Sequence, residues 1–84
     1  MMYLILIERA AQKELSRIEL AYQNRIIEAI RSLSKNPRPS GVKKLTGRPA
    51  WRIRIGPYRV IYEIHDDRLV ILVITISHRR EAYR

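Results

Sequence analysis

Trp51–Tyr83, WRIRIGPYRVIYEIHDDRLVILVITISHRREAY, decides the fold of this chain. At its start apolar residues alternate with arginine. Trp51, Ile53 and Ile55 share one side of a strand, and Arg52 and Arg54 share the other. Gly56-Pro57 is a turn signal, so the first strand ends there. Tyr58–Ile64 reads as a second strand and His65-Asp66-Asp67-Arg68 as a hairpin turn. Leu69–Ile76, LVILVITI, is apolar on both sides except at Thr75. Such a run predicts a strand in the middle of a sheet, with helices over at least one face. The three segments together predict an antiparallel meander.

Working upstream, Lys35–Pro49 is loop-like, with three prolines, two glycines and three lysines, and its core-seeking members are Val42 and Leu45. Before it, Ala11, Leu15, Ile18, Tyr22, Ile26, Ala29 and Leu33 recur at steps of three and four, one apolar helical stripe. A single helix over that span would be about 38 Å long, far beyond the typical helix of about 11–12 residues. Leu20, Ile27 and Ile30 lie off the stripe, so a break near Glu19–Tyr22 into a helical hairpin is expected. Asn36-Pro37 marks the exit of the second helix, because a residue before proline is pushed out of the helical region. Tyr3–Ile7 is a β-prone apolar run and the expected first strand. The predicted fold is α+β, in the order β-α-α-β-β-β: an N-terminal strand, a helical hairpin and a three-stranded meander.

Eighty-four residues make one domain, 1–84, with 46% hydrophobic residues to form its core. No cysteine is present, so disulfides and thiolate metal sites play no part. The net charge is +9, and it grows along the chain: residues 1–42 hold seven basic and four acidic side chains, residues 43–84 ten and four. Such a field attracts polyanions, with nucleic acid ahead of an acidic protein or an anionic membrane. The apolar runs Met1–Ile7 and Leu69–Ile76 are too short to span a bilayer, and no basic segment precedes the first. These features predict a soluble cytoplasmic protein.

For chemistry, the chain offers neither a glycine-rich phosphate loop nor a metal-ligand cluster. His65 and His78 lie thirteen residues apart without ligand neighbours at the right spacing. Asp66-Asp67 reads as an ordinary turn pair. The arginines differ. Residues two apart on a strand are about 6.6 Å apart on one face, close to the spacing of successive phosphates along a single nucleic-acid strand. Arg52 and Arg54 alone also read as a solvated strand face that blunts aggregation. Arg59 shifts the balance, because an antiparallel neighbour brings it beside them. Arg79 and Arg80 follow directly on the last strand, and Tyr83 adds a ring able to stack on a base or transfer a proton.

Beyond these general features, GVKKLTGRPAWRIRIGPYRVIYEIHDDRLVILVITISHRREAYR closely resembles the RelE/ParE superfamily of type II toxins, most of all its RelE branch of mRNA interferases. The matching residues are Lys44-Leu45-x-Gly47, an aromatic followed by Arg52-Ile53-Arg54, Gly56-x-Tyr58-Arg59-Val60-Ile61-Tyr62, and His78-Arg79-Arg80-Glu81-Ala82-Tyr83. The N-terminal half fits more loosely.

The resemblance implies a RelE-like toxin fold and a ribosome-dependent endoribonuclease that cuts mRNA without a metal or other cofactor. Its nucleophile would be the RNA 2′-hydroxyl. It implies catalytic roles for Arg52, Arg54, Arg59 and Arg79, with Tyr83 or His78 as the proton-transfer group. Lys43, Lys44, Arg48 and Arg80 would contact RNA, and a cognate antitoxin would be the protein partner. Proline follows Gly56 where relatives often have an acidic or small residue, both strand cations are arginine, and the C-terminal helix of some relatives is missing. Two alternatives share this fold: a ParE-like poison of DNA gyrase without nuclease activity, and a degenerate relative that only binds RNA or an antitoxin.

Overall fold

The computed structural model describes residues 2–78, and in them a five-stranded sheet carries two helices on one face. The elements are β1 (Leu4–Ile7), α1 (Arg9–Ser16), α2 (Leu20–Leu33), β2 (Lys43–Lys44), β3 (Trp51–Ile55), β4 (Tyr58–His65) and β5 (Val70–His78). Across the sheet the order is β1-β5-β4-β3-β2. β1 runs parallel to β5, and every other neighbouring pair is antiparallel. The expected order of strand, two helices and meander is present. One element is added: Lys43–Lys44, inside the stretch that composition assigns to a loop, pairs with Arg52 and Trp51.

Residues directly opposite one another in neighbouring strands share a face. Ile53, Val60 and Ile76 form one such row, and Tyr62 and Val73 part of another. With Ile55 and Ile71 they meet Ala11 of α1 and Ile26, Ile30 and Leu33 of α2 in a single core. β5 is internal, as LVILVITI predicts, yet only its helix side is sealed. Ile71, Val73 and Ile76 are buried, while Val70 and Leu72 on the other side are half-buried. The step from Val73 to Ile76 is three residues because Tyr62 pairs with Val73 and Ile61 with Thr75, which leaves Ile74 as the extra residue of a β-bulge. An all-apolar run hides that change of phase.

The helix break falls at Arg17–Glu19, slightly ahead of the expected Glu19–Tyr22, and it needs no glycine. Gln23 of α2 donates its side-chain N–H to the Leu15 carbonyl at 2.9 Å, satisfying one of the carbonyls that the end of α1 leaves open. Ile18 packs into the core between the helices, and Glu19 is extended (φ −58°, ψ 147°) where α2 begins. At the other end α2 stops at Leu33, before Asn36-Pro37. Tyr3 N–H donates to the Ser34 carbonyl at 2.8 Å, and the Ser34 hydroxyl donates to the Tyr3 carbonyl at 2.9 Å. Docking to Tyr3, just ahead of β1, therefore ends the helix ahead of the proline.

Asp66 in the β4–β5 turn is also more than a turn residue. Its carboxylate accepts from the Arg38 guanidinium at 2.9 Å and from the Tyr3 hydroxyl at 2.5 Å. These donors, Arg38 first, hold its carboxyl below the usual carboxylate range. Arg38 in turn lies over the Trp51 ring, 5.1 Å from its centre, so the loop after α2 is tied to both the turn and β3.

The β3–β4 turn depends on Gly56, whose φ is +59°. A Cβ there would meet the Tyr22 ring at 2.6 Å. Gly56→Ala is expected to lower stability by about 1–2 kcal/mol from the left-handed backbone alone. Displacing Tyr22 adds to this. An unchanged midpoint in thermal or urea denaturation would refute the expectation.

Candidate nucleic-acid interface

The face of the sheet away from the helices carries the charge. Register places Arg54 directly opposite Arg59, and Arg59 opposite Ser77. One row along, Lys43 lies opposite Arg52, and Arg52 opposite Ile61. At about 4.8 Å between strands and 6.6 Å between alternate residues, these four cations fall in a patch of about 10 by 7 Å.

Like charges directly opposite on a sheet are destabilising. No ion pair among the described residues involves Arg52 or Arg54. Glu63 shares this face toward the far end of β4, where its carboxylate lies 2.9 Å from His65 Nε2. Arg54 is exposed, Arg52 is half-buried, and Arg59 is only 7% exposed. Concentrated, pre-oriented guanidinium groups suit a phosphate, which they bind through charge-assisted forks. The same groups stabilise added negative charge on phosphate oxygens with little reorganisation.

Because β2 pairs only with Trp51 and Arg52, the rest of β3 is a free edge among the described residues, and Arg54 also faces the groove beside α2. Two cavities of about 500 and 420 Å³ lie there, and Arg54, Ile55 and Ala29 line both. Asn24, Arg25 and Glu28 line the larger. Arg25 therefore extends the basic surface around the edge, a role that sequence reasoning missed. Its signal was its place three residues after Tyr22, whose ring its guanidinium covers at 5.1 Å. Ser77 was also missed, because only strand register brings it beside Arg59.

The other candidates separate. Lys44 lies on the helix side of the sheet, with Nζ 5.9 Å from the Trp51 ring centre. Arg48 sits in the exposed turn before β3. His78 pairs with Tyr58, so it lies on the helix side, opposite to the arginine patch; the two rings meet edge-on at 5.4 Å. Arg79, Arg80 and Tyr83 lie outside the described residues. Among the described residues no group of three or more His, Asp or Glu side chains could hold a metal ion.

Residues 5–83 match the family described as ParE toxin of type II toxin-antitoxin system, parDE. A Methanocaldococcus jannaschii protein named as toxin RelE1 is 32% identical over 82 residues, which cover 93% of this chain and 91% of the relative. Toxin RelG of Mycobacterium tuberculosis is 26% identical over 88 residues, covering 100% of this chain and 99% of the relative. Among solved structures, a chain of the archaeal RelE–RelB complex from Pyrococcus horikoshii OT3 superposes with a TM-score of 0.85 at 30% identity. That match covers 94% of this chain and 97% of the other.

Proposed function

The chain belongs to the ParE toxin family of type II toxin-antitoxin systems, and on that premise we propose that this RelE-like toxin is an endoribonuclease cutting messenger RNA on the ribosome. The observation that carries the proposal is the facing pair Arg54 and Arg59, with Arg52 on the same sheet face. In the reaction the ribose 2′-oxygen attacks the neighbouring phosphorus and the bond from phosphorus to the 5′-oxygen breaks. The products are a 2′,3′-cyclic phosphate and a 5′-hydroxyl. One proton leaves the 2′-hydroxyl and one reaches the departing 5′-oxygen.

Arg52, Arg54 and Arg59 hold the phosphate and stabilise its added charge, and Arg79 joins them by family resemblance. Guanidinium groups supply the positive charge, so the proposed reaction is metal-independent. Arginine stays protonated and is a poor base. His78 faces the helices, so the proposal gives the 2′ proton to Tyr83. Nearby cations favour the phenolate of a tyrosine. Lys43 extends the phosphate path, and Lys44, Arg48 and Arg80 are outer RNA contacts.

A cognate antitoxin is the proposed protein partner. The Pyrococcus relative was solved in complex with RelB, and the +9 charge here suits an acidic chain. Acting on ribosomes places the toxin in the cytoplasm. None of the helices among the described residues is long and apolar enough to cross a membrane.

Primer extension on mRNA from a translating extract tests the proposal. Breaks in register with codons, absent when ribosomes are omitted, are expected. Intact mRNA together with gyrase-dependent DNA breaks would overturn it in favour of the gyrase poison.

A further inference from the structure

The row Arg54–Arg59–Ser77 ends on its one uncharged member. Serine is not among the β-branched and aromatic residues that strands favour, whereas residues 70–76 ahead of it on β5 are all apolar or β-branched. At about 4.8 Å between neighbouring strands, Ser77 stands as near to Arg59 on one side as Arg54 does on the other. Among the described residues no hydrogen bond engages its hydroxyl.

Ser77 also lies where a ligand can approach. β1 pairs with β5 only as far as Val73, so no described strand flanks Ser77 on its outer side. The residue is half-buried, and with Tyr58 and His78 it borders a cavity of about 310 Å³ at this end of the sheet. The two hydroxyls of β5 on the arginine face, Thr75 and Ser77, differ in their neighbours. Thr75 faces Ile61, while Ser77 faces Arg59.

We infer that the Ser77 hydroxyl donates a hydrogen bond to a non-bridging oxygen of the scissile phosphate, as a further catalytic residue of the cleavage. The inference rests on the proposed RNA reading. Attack by the 2′-oxygen adds charge to both non-bridging oxygens, so a donor to either one binds more strongly in the transition state than before it. Arg54 and Arg59 supply rigid forks, and the hydroxyl of Ser77 is a small donor that rotates to suit its acceptor. Ser77 keeps its proton throughout, so the balance of the two transferred protons is unchanged.

The test is single-turnover cleavage of ribosome-bound mRNA by the full chain carrying Ser77→Thr or Ser77→Val. These replacements share shape and strand preference, so their ratio isolates the hydroxyl. Ser77→Val is expected to cut about 10- to 100-fold more slowly than Ser77→Thr, the loss of one hydrogen bond to a charged group. Thr75→Val is expected to cut at the wild-type rate. Sulfur in place of one non-bridging oxygen adds a readout that strand packing does not move. Sulfur accepts hydrogen bonds weakly, so in one diastereomer it is expected to slow wild type more than Ser77→Ala, which adds no bulk. Equal rates for Ser77→Thr and Ser77→Val would overturn the role of Ser77 alone. So would a Thr75→Val loss as large as that of Ser77→Val, or an equal sulfur effect on wild type and Ser77→Ala in both diastereomers. Intact mRNA with the wild-type chain would overturn the RNA reading and the role of Ser77 with it.

Discussion

Arg59→Ala is expected to slow mRNA cleavage by about 100- to 1000-fold, the loss typical of removing one pre-positioned donor to a developing oxyanion. Arg59 is the central member of its row, with Arg54 on one side and Ser77 on the other, and it is 7% exposed. Arg54→Ala is expected to lose cleavage in the same direction while changing stability by no more than about 0.5 kcal/mol, because its side chain is exposed. Relief of the like-charge contact with Arg59 works against any loss of stability. Arg59→Lys keeps the charge and loses the planar fork, so its rate should fall between wild type and alanine. Single-turnover cleavage of ribosome-bound mRNA, scored by primer extension, measures all three. A folded Arg59→Ala protein that cuts at the wild-type rate would remove the patch from the reaction.

Tyr62→Ala is expected to cost about 3–5 kcal/mol, the range for deleting a large buried ring. For a domain of this size the total stability is on the order of 4–13 kcal/mol, so this one change threatens the fold. Tyr62 has no exposed surface, sits mid-strand on β4, and donates its hydroxyl to the Pro37 carbonyl at 2.7 Å. Tyr62→Phe isolates that hydrogen bond and should cost about 1 kcal/mol.

The same residue sets an alkaline limit. Burial pushes the Tyr62 phenol up to about 12 from an ordinary value of 10.0, against a smaller lowering by Arg38. The raised folded value means that its contribution is fully present below pH 10. It is lost as pH rises toward about 12, since the unfolded chain ionises first. Urea denaturation at neutral pH and across the alkaline range should show this loss in wild type and a shallower one in Tyr62→Phe. Identical alkaline profiles for the two proteins would contradict the assignment.

Much of the fold was legible locally. The alternation in WRIRI sorted Trp51, Ile53 and Ile55 from Arg52 and Arg54, because the pleat of a strand sends successive side chains to opposite faces. The helical stripe identified Ala11, Ile26 and Leu33 as core, and all three are buried. The boundaries were less legible. Gln23 ends α1 through a bond eight residues back, and Ser34 ends α2 through Tyr3, just ahead of β1 and 31 residues away. No local propensity carries such information.

The candidate site divides in the same way. Sequence alone determined that arginines occupy one face of a strand, that the charge is +9, and that a turn at Gly56 returns Arg59 toward them. Tertiary structure alone decided that Arg59 faces Arg54, that Ser77 joins their row, and that His78 lies across the sheet with Tyr58 and the helices. The reason is register. Which side a residue takes within one strand follows from the sterics of a few neighbouring residues. Which residues meet across strands depends on ladder hydrogen bonds and core burial between distant segments, and in β5 on a bulge at Ile74 that changes the phase.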